Sequence, residues 1–144
     1  YQHVPGKTAV VYPNGKAFLH AYAPVKVHNA IAAANQIAGK PYVWGGGHRK
    51  LYDHGYDCSG AVCYVLNHAG VLRGSTTSAG LKKFGNSGKG DWITVYAKDG
   101  HTFIEIAGLR FDTGGGGSNS SRGPHWSTSS RTLAGFRARH PSGL

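Results

Sequence analysis

The runs PYVWGGGH at residues 41–48 and YDCSGAVCYVLNHAG at residues 56–70 decide how this chain folds. In the second run Val62, Val65, Leu66 and Ala69 recur at helical spacing, with Asp57 placed to cap the helix and Gly70 to stop it. Cys58 therefore falls in the first turn of a helix. There the unpaired backbone N–H groups and the positive end of the helix dipole stabilise an anion and favour the thiolate. That makes Cys58 a candidate nucleophile. Cys63 lies five positions on, about 140° further round the same helix and at a Cα separation of roughly 8–9 Å, beyond the roughly 7 Å limit for a disulfide. Both thiols are expected to be free, with Cys63 packed as a small hydrophobe.

Working outward, residues 24–39 place Val27, Ala30, Ile31, Ala34 and Ile37 on one face and end at Gly39, which predicts a helix. Upstream, TAVVYPNGKAFLHAYA at residues 8–23 reads as a hairpin or extended arm turning at Asn14-Gly15. Downstream, GSTTSAGLKKFG predicts a short third helix with Thr77 or Ser78 as its N-cap. Strand-like runs follow at residues 91–97, 101–108, 109–113 and 132–140, while residues 114–126 form a polar, low-complexity loop. Helices come before strands, so the expected class is α+β with an antiparallel sheet packed against helices. There is no internal repeat. The organisation expected is one domain, with residues 1–23 as an N-terminal arm and residues 24–144 as the functional unit.

Composition narrows the partners. Sixteen Lys+Arg against six Asp+Glu give a net charge of +10, which attracts polyanions such as nucleic acid, an acidic membrane surface or an anionic wall polymer. The basic residues are scattered, which argues against a specific nucleic-acid face. No stretch approaches the roughly 20 apolar residues of a membrane span. The opening residues YQHVPGKTAV show neither a leader pattern nor an initiator Met, and read as a processed or excised segment.

A cysteine nucleophile needs a base, and His101 is the best placed of nine histidines because it opens a strongly patterned strand after the Lys98-Asp99-Gly100 turn. If Ala107-Gly108 is a two-residue turn, Ile106 pairs with Leu109, Glu105 with Arg110, Ile104 with Phe111 and Phe103 with Asp112. His101, Phe103, Glu105, Arg110 and Asp112 then share one face, and Ile104, Ile106, Leu109 and Phe111 share the core face. Asp112 is accordingly the candidate to orient the imidazole. A turn one residue longer substitutes Thr113. His48, His54, Cys58, Cys63 and His68 lie near one another in sequence but match no metal-ligand spacing, so no metal is expected. The Gly45-Gly46-Gly47 run lacks the Gly-Lys-Ser/Thr ending of a phosphate loop, and no cofactor is expected. Trp44 is expected to pack beneath the cleft.

The order of PYVWGGG, then DCSG on a helix, AGV, a Ser/Thr cluster, Gly90-Asp91 leading into a strand and His101 opening the next resembles the NlpC/p60 cysteine peptidases over about residues 24 to 113. The resemblance implies a papain-like cell-wall hydrolase with the nucleophile at a helix N-terminus. Cys58 would attack, His101 would move the proton, and Asp112 would orient His101, with Thr113 or His125 as alternatives. The backbone N–H of Cys58 and the Tyr42 side chain would stabilise the oxyanion, and Tyr42, Asp57 and Ser59 would line the subsite for the L-alanine end of a stem peptide. The implied reaction is hydrolysis of the D-glutamyl–diamino acid bond of peptidoglycan through a thioester. It implies an extracytoplasmic, secreted and bacteriolytic thiol protease, monomeric, whose partners are peptidoglycan or muropeptides. An amidase, acyltransferase or effector toxin on the same fold, or a wall-binding module without chemistry, are the alternatives. Arg73-Gly74 departs from the usual position of the family's arginine, and Gly123-Pro124-His125-Trp126 has no counterpart.

Overall fold

A computed structural model describes residues 9–20, 22–114 and 122–144 of the protein. Strands β1 (Ala9–Val11) and β2 (Ala17–Leu19) make the expected hairpin, paired Ala9↔Leu19 to Val11↔Ala17 around Gly15 at φ 83°. Helix α1 (Val25–Ile37) buries Val27, Ala30, Ile31, Ala34 and Ile37 as its spacing predicts. Helix α2 (Cys58–His68) follows, then α3 (Ser78–Leu81), whose N-cap Thr77 accepts from the Gly80 N–H.

The remaining strands are β3 (Asn86–Ser87), β4 (Ile93–Lys98), β5 (His101–Ile106), β6 (Leu109–Asp112), β7 (His125–Ser127) and β8 (Arg137–His140). They form one antiparallel sheet in the order β3-β8-β4-β5-β6-β7, and α1, α2 and α3 all contact its central strand β5, α3 also contacting β4. The protein is thus a mixed helical and antiparallel-sheet domain. Residues Ile104, Ile106, Leu109 and Phe111 enter the core shared with α1 and α2. The β5–β6 register is Ile104↔Phe111, Glu105↔Arg110 and Ile106↔Leu109, as read from the sequence. Ala107 and Gly108 both hold positive φ, 49° and 89°, which gives the two-residue turn the twist that the strands require.

Four expectations are corrected. The 132–140 run is strand only over Arg137–His140, because residues 133–136 close a turn in which the Phe136 N–H donates to the Leu133 carbonyl. Residues 125 and 126 belong to β7 and not to a loop, because Trp126 is buried against Phe111 with ring centroids 4.9 Å apart. Residues 115–121 of that loop reading, and residues 1–8 and 21 of the arm, lie outside the described residues. Phe103 is buried although it shares the face of His101, because Tyr96 stacks on it at 5.0 Å and Phe136 meets it edge-on at 5.1 Å. Trp44 does not pack beneath the cleft: it is 89% exposed.

Candidate active site

Cys58 is the first residue of α2, and the Asp57 side chain caps that helix by accepting from the Gly60 N–H at 2.7 Å. The glycine run is held against this end. A Cβ on Gly60 would stand 2.0 Å from the Gly46 carbonyl oxygen, so the helix and the loop meet in a way that only glycine permits. The Gly45 N–H donates to Asp57 Oδ2 at 3.2 Å and the Asp57 N–H to the Gly46 carbonyl at 3.3 Å, which fastens the loop beside Cys58.

His101 reaches the same place from the start of β5. Its Nε2–H donates to Asp112 Oδ1 at 2.9 Å, so Nδ1 is the ring nitrogen left to face the thiol. No aligned Cys58–His101 hydrogen bond forms among the described residues. The thiol nevertheless lies close enough to act on the charge of the imidazole, and in free enzymes such bonds tighten only with substrate in place. Burial pushes the His101 pKa down, but the hydrogen bond to Asp112 and the nearby Cys58 thiol outweigh it and raise it to about 9.

Asp112 is 1% exposed and surrounded by donors. Oδ1 accepts from His101 and from the Thr113 N–H at 2.8 Å, while Oδ2 accepts from Arg110 Nη1 at 2.6 Å and Arg131 Nη1 at 2.8 Å. The four acceptor positions of a carboxylate are all used. Burial alone would raise its pKa, but the bonds to His101, Arg131 and Arg110 hold it below the ordinary carboxylate value, so the anion persists opposite the imidazole.

Arg131, which the sequence did not single out, arrives from the segment after β7. Its guanidinium lies 5.0 Å from the Phe103 ring centre and 5.2 Å from that of Phe136, and Nη1 stands 3.2 Å from His101 Nε2. Arg131 and the His101 N–H are both donors, so the Asp112 carboxylate between them is what binds the two.

At the start of α2 a second histidine was also missed as a site residue. His48 Nε2 lies 2.9 Å from Asp57 Oδ1 and 3.0 Å from Ser59 Oγ, and its Nδ1 bonds Ser75 Oγ. Of the three expected substrate-binding residues, Tyr42 lines the cavity that holds Cys58 and His101, whereas Asp57 and Ser59 turn to His48 and the helix cap. Burial, Cys58 and Asp57 raise the Tyr42 pKa, which keeps its hydroxyl protonated as a donor. Thr113 bonds Asp112 through its backbone, and His125 turns its ring Nδ1 to the Gly123 carbonyl at 2.8 Å, so Asp112 is the residue placed against the imidazole. Cys58 and Cys63 are both free thiols. Cys63 is buried, its Sγ accepts from the Thr76 N–H at 3.5 Å, and burial pushes its pKa up.

A half-buried cysteine at a helix start, a histidine beside it and a carboxylate behind the histidine make up the parts of a thiol hydrolase. The NlpC/P60 family model matches residues 39–109, about half the chain, and the protein is a member of that family of cell-wall peptidases. A search of the curated proteins found no match. No group of three or more His, Cys, Asp or Glu able to hold a metal occurs among the described residues, and no helix among them is long and apolar enough to cross a membrane.

Proposed function

We propose that the protein is a cysteine endopeptidase of peptidoglycan stem peptides, built on a papain-like fold and cleaving the D-glutamyl–diamino acid bond. The observation that carries this reading is the meeting of Cys58 from α2 and His101 from β5 in one cavity of about 510 Å³ that Tyr42 also lines, with Asp112 of β6 bonded to His101 from behind. Cys58 Sγ, its proton already resting on His101 Nδ1, attacks the amide carbonyl as a thiolate. The backbone N–H of Cys58 and the Tyr42 hydroxyl stabilise the oxyanion. Collapse forms the thioester and breaks the C–N bond, with His101 returning the proton to the departing amine. Water, deprotonated by His101, then releases the acyl group and restores the thiol.

Asp112 fixes the imidazole so that Nδ1 faces the thiol throughout. On the acyl side Tyr42, Asp57 and Ser59 form the subsite for the L-alanine end, with His48 closing it in the free protein. Residues 24–144 make up the catalytic unit, a monomer, and residues 1–23 an arm upon it. The work is extracytoplasmic, where the substrate is, and the charge of +10 favours an anionic wall.

Mass spectrometry of muropeptides after incubation with the protein and with Cys58→Ala tests this. A fragment split after D-glutamate, made only by the unmutated protein, is expected. No cleavage together with rapid iodoacetamide labelling of Cys58 would point to an amidase or acyltransferase. No cleavage and no labelling would leave a binding module.

A further inference from the structure

The arginines behind His101 carry more positive charge than Asp112 neutralises. Arg110 spends Nη1 on Asp112 and Nη2 on Ser127 Oγ at 2.9 Å and on Ser129 Oγ at 3.1 Å. Arg131 spends Nη1 on Asp112, whereas its Nη2 has no hydrogen-bond partner among the described residues. The Nε atoms of both are buried and have no hydrogen-bond partner among the described residues. Two guanidiniums thus share one carboxylate, and Arg131 lines the cavity that holds Cys58 and His101 together with Ser129, Ser130 and Thr132. An adjoining hollow of about 230 Å³ runs on past Arg110 and Arg131 to Glu105, a half-buried carboxylate with no ion pair among the described residues.

We propose that this stretch is the subsite for the residue released by cleavage, in which Arg131 binds a free carboxylate of that residue and Glu105 its distal ammonium group. The inference rests on the endopeptidase reading and adds to it which side of the scissile bond is read, by which charges. Position decides the side. His101 hands its proton to the leaving amine, so the leaving residue lies on the His101 side of the thiol, and Arg131 is one imidazole ring from Cys58. Two guanidinium N–H groups on one nitrogen suit a carboxylate oxygen, and the serine hydroxyls suit its second oxygen. A diamino acid brings both charges: a carboxylate for Arg131 and an amine for Glu105. The carboxylate can be the α-carboxyl of a chain-terminal diamino acid or the side-chain carboxyl of a diaminodiacid.

The test uses the full chain as Cys58→Ala, so that affinity is read apart from turnover, and titrates L-Ala-γ-D-Glu-L-Lys, its C-terminal amide, and the same pair with meso-diaminopimelate in third position. Loss of an α-carboxylate that is bound should weaken the lysine peptide by about tenfold or more. If the side-chain carboxyl is the group bound, both diaminopimelate peptides bind about tenfold tighter than both lysine peptides. Either difference collapses when Arg131→Gln is added and is partly kept with Arg131→Lys, and Glu105→Gln weakens all four peptides alike. Equal affinity for the four peptides, or differences among them that survive Arg131→Gln, overturns the subsite and leaves the peptidase standing. Should none bind and the unmutated protein cleave none, the peptidase reading itself falls and takes the subsite with it.

Discussion

Two histidine–carboxylate pairs near Cys58 have the same contact length: His48–Asp57 and His101–Asp112 are each 2.9 Å apart. What separates them is the far side of the carboxylate. Asp57 is 16% exposed and uses its oxygens on backbone N–H groups of the glycine loop and the helix cap. Asp112 is 1% exposed and uses its second oxygen on two arginines. The first pair therefore fastens a loop to a helix end, and the second holds a charged imidazole. A His–Asp contact distance says nothing about role; the partners that remain on the carboxylate do.

The largest effect expected from probing that contrast is at the thiol near both pairs: Cys58→Ala abolishes muropeptide cleavage while the far-ultraviolet circular dichroism is unchanged. Next comes Asp112→Asn, which leaves an amide facing two arginines and the wrong polarity for Nε2–H. By analogy with carboxylates that orient catalytic histidines, kcat/KM should fall by about 100-fold or more. The same substitution reports on charge. With His101 raised to about 9, cleavage by the unmutated protein should decline as pH rises through that value and the leaving amine loses its acid, and Asp112→Asn should move the decline to lower pH. An edge that stays put would mean that Asp112 does not set the state of His101. Stability follows the same sign. The native state holds this proton more tightly than the unfolded chain, so the contribution of His101 is complete below its ordinary 6.5 and is lost towards about 9, visible as a falling thermal midpoint.

A smaller effect is expected at the other pair. His48→Ala removes a tie between the loop and the cap of α2, costs about 1 kcal/mol in a denaturant titration and lowers kcat/KM by less than about tenfold. If it matched the loss at Asp112, the two pairs would share the chemistry and the contrast drawn between them would be lost. The smallest effect is at Cys63, where Cys63→Ala should leave turnover nearly unchanged and iodoacetamide incorporation at Cys58 undiminished.

Local patterns made much of this readable in the sequence. The spacing of Val62, Val65 and Leu66 located α2 and hence Cys58, and alternation through a two-residue turn put His101 and Asp112 on one face before any coordinates. What stayed hidden depends on contacts distant in sequence or on backbone. Arg131 sits among serines and threonines with no periodicity, and gains its place from the Asp112 carboxylate and from the flat surface that Phe103 and Phe136 give its guanidinium. Strand β7 is three residues long and depends on Trp126 meeting Phe111. His48 looked like one member of a histidine-rich stretch, since its partners Asp57, Ser59 and Ser75 meet it only after the loop folds back on α2. Trp44 was misjudged because an apolar residue between two buried-looking neighbours reads as core, whereas the Gly45 turn at φ 75° directs the chain otherwise.

Asn35 of α1 bears on how the protein opens. Its side chain exchanges two hydrogen bonds with the Ala17 backbone, both 2.8 Å, and accepts from Trp126 Nε1 at 2.9 Å, joining segments 18 and 91 residues away. One amide thereby belongs to the β1–β2 hairpin and to β7 at once. Detachment of either leaves the Asn35 amide short of a partner, which couples the opening of the two. Amide protons in β2 and β7 should then exchange with solvent at the same free energy, and Asn35→Ala should release both together.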